Sequence, residues 1–346
     1  MAINISIVKK IIFATLALAC FVAISELILG ISGFDSYVQN RFFIVNRALD
    51  YPEVFLRDKK LFWKLKPNQT VTSKFFQEHT YRINSDGLRN KELAKEKTKP
   101  RIIALGNSCT FGWGIDYDLI YTRRLEQILD KHYEIINAGV PGYSSFQGQV
   151  YFESELVKLK ADYVLILFGW NDHWAAANGI ADKDQQLPSE FIINIQNVLS
   201  NFHLYRAIKK ALLSSIESDI NSLFDRDDPI YRVSVTDFEK NIKSICRAAR
   251  NNHAIPVLIT APIPSLENYY PPGSRSGLHQ YHEYYNQAIR KIAKQDSVLF
   301  VDAALEFDNY PNLYDDASLD PIHFNSKGHE ILAQLIAAQI TASSLD

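Results

Sequence analysis

Residues 101–114 read RIIALGNSCTFGWG. An apolar run, Ile102 to Leu105, gives way at once to glycine, asparagine, serine, cysteine and threonine. The first half has the look of a strand with no polar face, and the second half that of a turn. Four further runs share the first half's character: YEIINAGV (133–140), DYVLILFG (162–169), PVLITAP (256–262) and VLFVDAA (298–304). They are rich in Val, Ile and Leu and do not alternate strictly. Strands buried on both faces of a parallel sheet read this way. Helical stretches separate them, at about 118–131, 145–160, 236–252, 280–295 and 326–342. In the last, Ile331, Leu332, Leu335, Ile336 and Ile340 form one apolar stripe. Strands alternating with helices predict a doubly wound α/β domain.

Outside that domain the chain changes character. Residues 11–31, IIFATLALACFVAISELILGI, carry one charge, Glu26, and follow Lys9-Lys10. Roughly 20 apolar residues suffice to cross a bilayer core. Glu26 sits near the far end, where it could reach the interface, and the lysine pair would keep the N-terminus cytoplasmic. A single-pass anchor, with the body outside the cytoplasm, is the expectation. Two readings compete with it. Ala17-Leu18-Ala19 resembles a signal-peptidase site, and Ala17 to Cys20 loosely resembles a lipoprotein site. A buried soluble helix is the third alternative.

The expected organisation is an anchor over residues 1–34, a small β/loop extension over 35–98, and the α/β domain over 99–346 with an insertion at about 175–230. The extension is aromatic, with turn chemistry at Pro67-Asn68 and Ser85-Asp86-Gly87. The insertion contains FIINIQNVLSNFHLYRAIKKALL (191–213), which looks helical. It either shapes a binding site or serves as a structural or membrane-facing flap.

Composition narrows the function. A net charge of -2 lacks the basic face that nucleic-acid binding needs. The cysteines, Cys20, Cys109 and Cys246, are scattered and suggest neither zinc nor a disulfide framework. No cofactor or metal is expected. In open parallel sheets ligands bind beyond the carboxyl ends of the strands. The residues there are Gly106-Asn107-Ser108, Asn137 to Gly142, Gly169 to Asp172, and Asp320 to His323 after the fifth run. A serine needs a base, histidine suits that near neutral pH, and a carboxylate fixes the histidine's tautomer. Asp320 and His323 are close enough for one turn to present both. The Ser108 N–H, the Gly139 N–H and the Asn171 amide are candidate oxyanion donors.

With these blocks in order, the sequence resembles the SGNH hydrolase superfamily, or GDSL-type esterases, over about residues 101–342. The blocks are GNS (106–108), NAGVPG (137–142), GWND (169–172) and DPIH (320–323). The resemblance implies a flavodoxin-like three-layer α/β/α fold with a five-stranded parallel sheet. It implies Ser108 as nucleophile, His323 as base, Asp320 as its partner, and an oxyanion hole from Ser108, Gly139 and Asn171. The anchor and the INSDGLRNKE region resemble a membrane-anchored bacterial branch associated with envelope polysaccharides. Asn107 departs from the usual aspartate, though both can make similar turn hydrogen bonds.

The expected activity is hydrolysis of an O-acyl ester, above all O-acetyl, on an envelope carbohydrate or lipid. An O-acetyltransferase using the same residues is the alternative, and a non-catalytic carbohydrate-binding protein is a third. His173 and Trp174 are candidates to line the substrate cleft. Cys109 is the competing nucleophile, His329 is taken as structural, and Arg275, His279 and His282 are taken as a surface loop entering a helix.

Overall fold

The computed structural model describes residues 5–35, 47–72, 79–176, 179–213, 230–264, 276–317 and 320–343. The chain begins with α1, Ile5–Ile31. Its stretch Ile7–Ile31 is long and apolar enough to cross a membrane, and every side chain from Ile7 to Ile24 is exposed. Two antiparallel hairpins follow, β1 (Phe55–Asp58) with β2 (Phe62–Leu65), and β3 (Gln69–Thr72) with β4 (Thr80–Ile83). These are the short strands expected of the extension.

The main domain runs β5 (Arg101–Gly106), α2 (Ser108–Phe111), α3 (Tyr121–Ile128), β6 (Glu134–Gly139), α4 (Ser145–Tyr151) and β7 (Tyr163–Leu167). The insertion supplies α5 (Glu190–Leu199) and α6 (His203–Leu213). The domain then resumes with α7 (Val235–Asn251), β8 (Ile255–Ile259), α8 (Ser276–Gln295), β9 (Leu299–Val301), α9 (Ala303–Phe307) and α10 (Ser326–Ser343). The helix expected over 145–160 is shorter, passing at Phe152 into a π turn and then a 3-10 turn.

All five strands pair in parallel, in the order β6-β5-β7-β8-β9. This is the flavodoxin-like arrangement. Strand period two explains why the runs are apolar throughout. Ile102 and Ala104 of β5 face a core with α3 and α10, whereas Ile103 and Leu105 face one with α4, α7 and α8. On β7, Leu165 and Leu167 join the first core and Val164 and Ile166 the second. The extension is not a separate core. Tyr51, Phe55, Leu61, Tyr81 and Leu88 belong to the same cluster as Leu105, Phe111 and Ile136. The strand order reverses beside β5, so the crevice lies over the carboxyl ends of β5, β6 and β7.

Candidate active site

Ser108 is the first residue of α2, directly beyond β5. The N-cap is Asn107, whose Oδ1 accepts the Cys109 N–H at 3.0 Å. Asparagine therefore makes the turn hydrogen bond that an aspartate would make there. Gly112 ends the turn with φ 87, a left-handed cap that suits glycine.

Ser108 Oγ lies 2.8 Å from His323 Nε2, and His323 Nδ1 lies 2.7 Å from Asp320 Oδ2. Asp320 Oδ1 accepts the Ile322 and His323 N–H groups, each at 3.1 Å, so the i,i+3 turn orients the carboxylate as well as the ring. A neutral imidazole that donates Nδ1–H to Asp320 turns its Nε2 lone pair toward the serine hydroxyl. Burial pushes the Asp320 carboxyl up, but its hydrogen bonds and the charge of His323 outweigh this and hold it below the ordinary value. The Trp113 ring stacks on His323, with centroids 5.4 Å apart and planes 17° apart. Cys109 is buried like Ser108, but its Sγ donates to the Ile322 carbonyl at 3.4 Å rather than facing His323, and burial pushes its thiol up.

The GDSL-like lipase/acylhydrolase family matches residues 104–331, well over half of the chain. The chain belongs to that family. It is a serine hydrolase acting on esters. Comparison with curated proteins finds no match. Among solved structures, a lipase/acylhydrolase from Enterococcus faecalis is 17% identical, with 70% of this chain and 96% of that chain covered and a TM-score of 0.46. An acetylxylan esterase from Geobacillus stearothermophilus is 16% identical over 71% and 96%, with a TM-score of 0.44. The aryl esterase of M. smegmatis is 16% identical over 70% and 99%, with a TM-score of 0.46.

The remaining site residues of this GDSL-like chain divide. Asn171 follows β7 at the sheet's carboxyl end, and among the described residues neither its amide nor the Ser108 N–H has a hydrogen-bond partner. Its neighbour Asp172 fixes the turn, accepting the Ser145 N–H at 2.7 Å and the Gly169 N–H at 3.1 Å. Burial raises the Asp172 carboxyl to about 6, against the hydrogen bonds from Ser145.

Gly139 does not offer the donor expected of it. Its N–H is given to Asn137 Oδ1 at 3.0 Å. Any Cβ there would collide with the backbone of Phe111, so the missing side chain makes room for α2 rather than for substrate. Gly142, further along the same loop, has φ 82 and an N–H without a partner among the described residues.

His173 is not on a cleft wall either. Its ring is buried against Trp170 and Tyr285, and its Nε2 lies 3.0 Å from His282 Nδ1. His282 is likewise interior, its Nε2–H donated to the Ala261 carbonyl at 2.9 Å, and not part of a surface loop. Arg275 and the side chain of His279 lie outside the described residues. Trp174 is half-buried. His329 is structural, its Nδ1 accepting the Tyr121 N–H at 3.1 Å. Among the described residues no cluster of His, Cys, Asp and Glu is set to hold a metal ion.

Two supports of the Ser108 turn have no reading in the sequence. Asn137 Nδ2 donates to the Thr110 carbonyl at 2.8 Å. Arg89, fully buried and drawn from the extension, donates to the carbonyls of Phe111 at 2.8 Å, Gly112 at 2.5 Å and Ile115 at 2.5 Å. Its guanidinium lies over the Tyr81 ring. Burial lowers Arg89 to about 10, so it stays charged at neutral pH and complements the helix's carbonyl end.

Proposed function

We propose that the protein removes O-acyl groups, above all O-acetyl, from a carbohydrate or lipid of the bacterial envelope through an acyl-enzyme on Ser108. The single observation that carries this reading is the unbroken relay from Ser108 Oγ through His323 to Asp320. His323 Nε2 takes the hydroxyl proton as Oγ attacks the ester carbonyl. The tetrahedral oxyanion is met by the Ser108 N–H and the Asn171 amide, with the Gly142 N–H as third donor in place of Gly139. Collapse expels the alcohol, which takes the proton from His323. Water then repeats the sequence and frees the acid. Asp320 stays ionised and stabilises the imidazolium formed in both halves.

We further propose that α1 holds the enzyme in the inner membrane, with Lys9 and Lys10 on the cytoplasmic side. Residues 1–34 would then be the anchor, 35–98 an extension, and 99–346 the catalytic domain with its insertion at about 175–230.

Treatment with a fluorophosphonate, followed by mass spectrometry, tests the mechanism. The expected label is on Ser108 and is lost in His323→Ala. Equal rates for wild type and Ser108→Ala on an activated acetyl ester would end the serine reading. Offering an oligosaccharide as acceptor and measuring acetyl transfer against acetate release tells hydrolase from transferase.

A further inference from the structure

The insertion carries an apolar surface that the ester chemistry does not use. On α5 and the turn after it, Phe191 is 74% exposed, Ile195 43%, Val198 63% and Phe202 49%. The first three, at i, i+4 and i+7, lie along one side of α5, and Phe202 follows in the turn beyond it. Ile208 and Leu212 continue the pattern on α6, at 52% and 68% exposed. Single exposed apolar residues are ordinary, but an aligned set marks an interaction surface.

Both helices are held so that this side stays outward. On the opposite side of α5, Ile193 is buried, and the Asn197 side chain pairs with the Arg57 backbone, accepting its N–H at 2.7 Å and donating to its carbonyl at 3.0 Å. The start of α6 is bound to α1. Glu26 accepts the His203 N–H at 2.7 Å and the Leu204 N–H at 2.9 Å, and lies 2.7 Å from His203 Nδ1. Arg206, buried on α6, pairs with Asp35 at 2.5 Å. The contact reaches α1 only near its end. Ser25, Glu26 and Leu29 are partly covered, while the turns before them are bare.

We propose that α5 and α6 form a shelf lying in the surface of the same bilayer that α1 crosses, with Phe191, Ile195, Val198 and Phe202 in the headgroup and acyl boundary. The inference rests on the reading of α1 as a span. The lipid surface is favoured over a protein partner because Phe202, the last of the exposed apolar set, directly precedes His203 and Leu204, which Glu26 binds at the end of the span. An amphipathic helix joined to the last turns of a transmembrane helix lies at interface depth, where such a side is stable. Glu26 is also accounted for. The one charge of residues 11–31 caps α6, so it reaches the interface with its hydrogen bonds made.

The test uses the full chain in phosphatidylethanolamine/phosphatidylglycerol vesicles, in a Cys20→Ala background, because Cys109 and Cys246 are buried. An environment-sensitive fluorophore is placed in turn on Val198→Cys, on Leu16→Cys within α1, and on Leu305→Cys on α9 as the water-exposed reference. Nitroxide-bearing lipids are then added. The expected result is loss of emission at 198 and 16 but not at 305. Quenching at 16 with 198 matching 305 would overturn the shelf and leave the anchor standing. No quenching at 16 would remove the anchor, and this inference with it. A label at 198 that lipid does not quench, but whose emission shifts with protein density, would mean a second copy covers the helices and would also overturn the shelf. Turnover of an activated acetyl ester, followed in the same vesicles, reports the esterase reading independently.

Discussion

The Trp113 indole lies flat against the His323 imidazole, 5.4 Å between centroids. The imidazole is therefore held from two directions, at its edge by Asp320 and across its face by the tryptophan. Trp113 stands on the loop that leaves the Ser108 turn, so one short segment carries the serine and steadies the ring hydrogen-bonded to it.

Replacing Trp113 with alanine removes the face but leaves the bonds of His323 to Asp320 and Ser108. The expected result is a fall in kcat of about 10- to 100-fold with KM little changed, since misplacement of a catalytic group by around an ångström costs that much. Trp113→Phe should recover part of it. Steady-state kinetics on an activated acetyl ester measures both. A change confined to KM would mean that Trp113 contacts substrate rather than the base.

Arg89 tests whether the extension supports the nucleophile. Its three carbonyl partners span the end of α2 and the loop beyond, and an ammonium cannot reproduce the planar fork. Hydrogen bonds from a charged donor contribute about 1.5–3 kcal/mol each. Arg89→Lys is expected to lose roughly 3 kcal/mol of stability by that scale and to lower kcat at temperatures where it remains folded. Urea unfolding followed by tryptophan fluorescence checks the first, and kinetics in the plateau region the second.

The oxyanion donors separate by mutation. Asn171→Ala should reduce kcat by roughly 100-fold, the usual effect of deleting one such donor, and leave unfolding unchanged. Gly139→Ala should act differently. Its Cβ meets the Phe111 backbone, so the expected loss is in stability, with activity falling only as the fold does. A stable Gly139→Ala protein with greatly reduced kcat would return Gly139 to the oxyanion hole.

Asp172 makes the stability depend on pH in a stated direction. Burial raises its carboxyl to about 6 from an ordinary 3.8. A raised folded value means that the protonated form favours folding. Its contribution is full below about 4 and declines as pH rises through about 6, by at most about 1.4 kcal/mol per unit of displacement. The stability of wild type relative to Asp172→Asn should therefore shrink between pH 4 and pH 7 in urea titrations. A difference that is flat or grows over that window would contradict the burial argument.

The parts of the fold that could be read were those with local cause. Ile102 to Leu105 had to be apolar on both sides because both sides face a core, and that leaves a run in the sequence. Ser108, Asp320 and His323 follow strands or share a turn, so their positions in the chain announce them. Arg89 left no such mark. Its partners are main-chain carbonyls, which any residue supplies, and its burial depends on Tyr81 and Phe111 closing over it. The burial of His173 is equally silent in the sequence, since its partner His282 lies 109 residues away. The bond from the Gly139 N–H to Asn137 Oδ1 is silent too, because the direction of the Asn137 side chain is not written in the spacing of the block.

Glu26 joins α1 to α6 by three polar contacts rather than by a slack tether. An enzyme on a leash sweeps a volume and meets whatever diffuses into it. With α1 in the bilayer as proposed, an enzyme fixed at such a joint would keep its catalytic face at a set height and tilt above the lipid. It would select substrates by altitude as well as by chemistry, so esters carried too near or too far from the bilayer would escape it even when their bonds are identical.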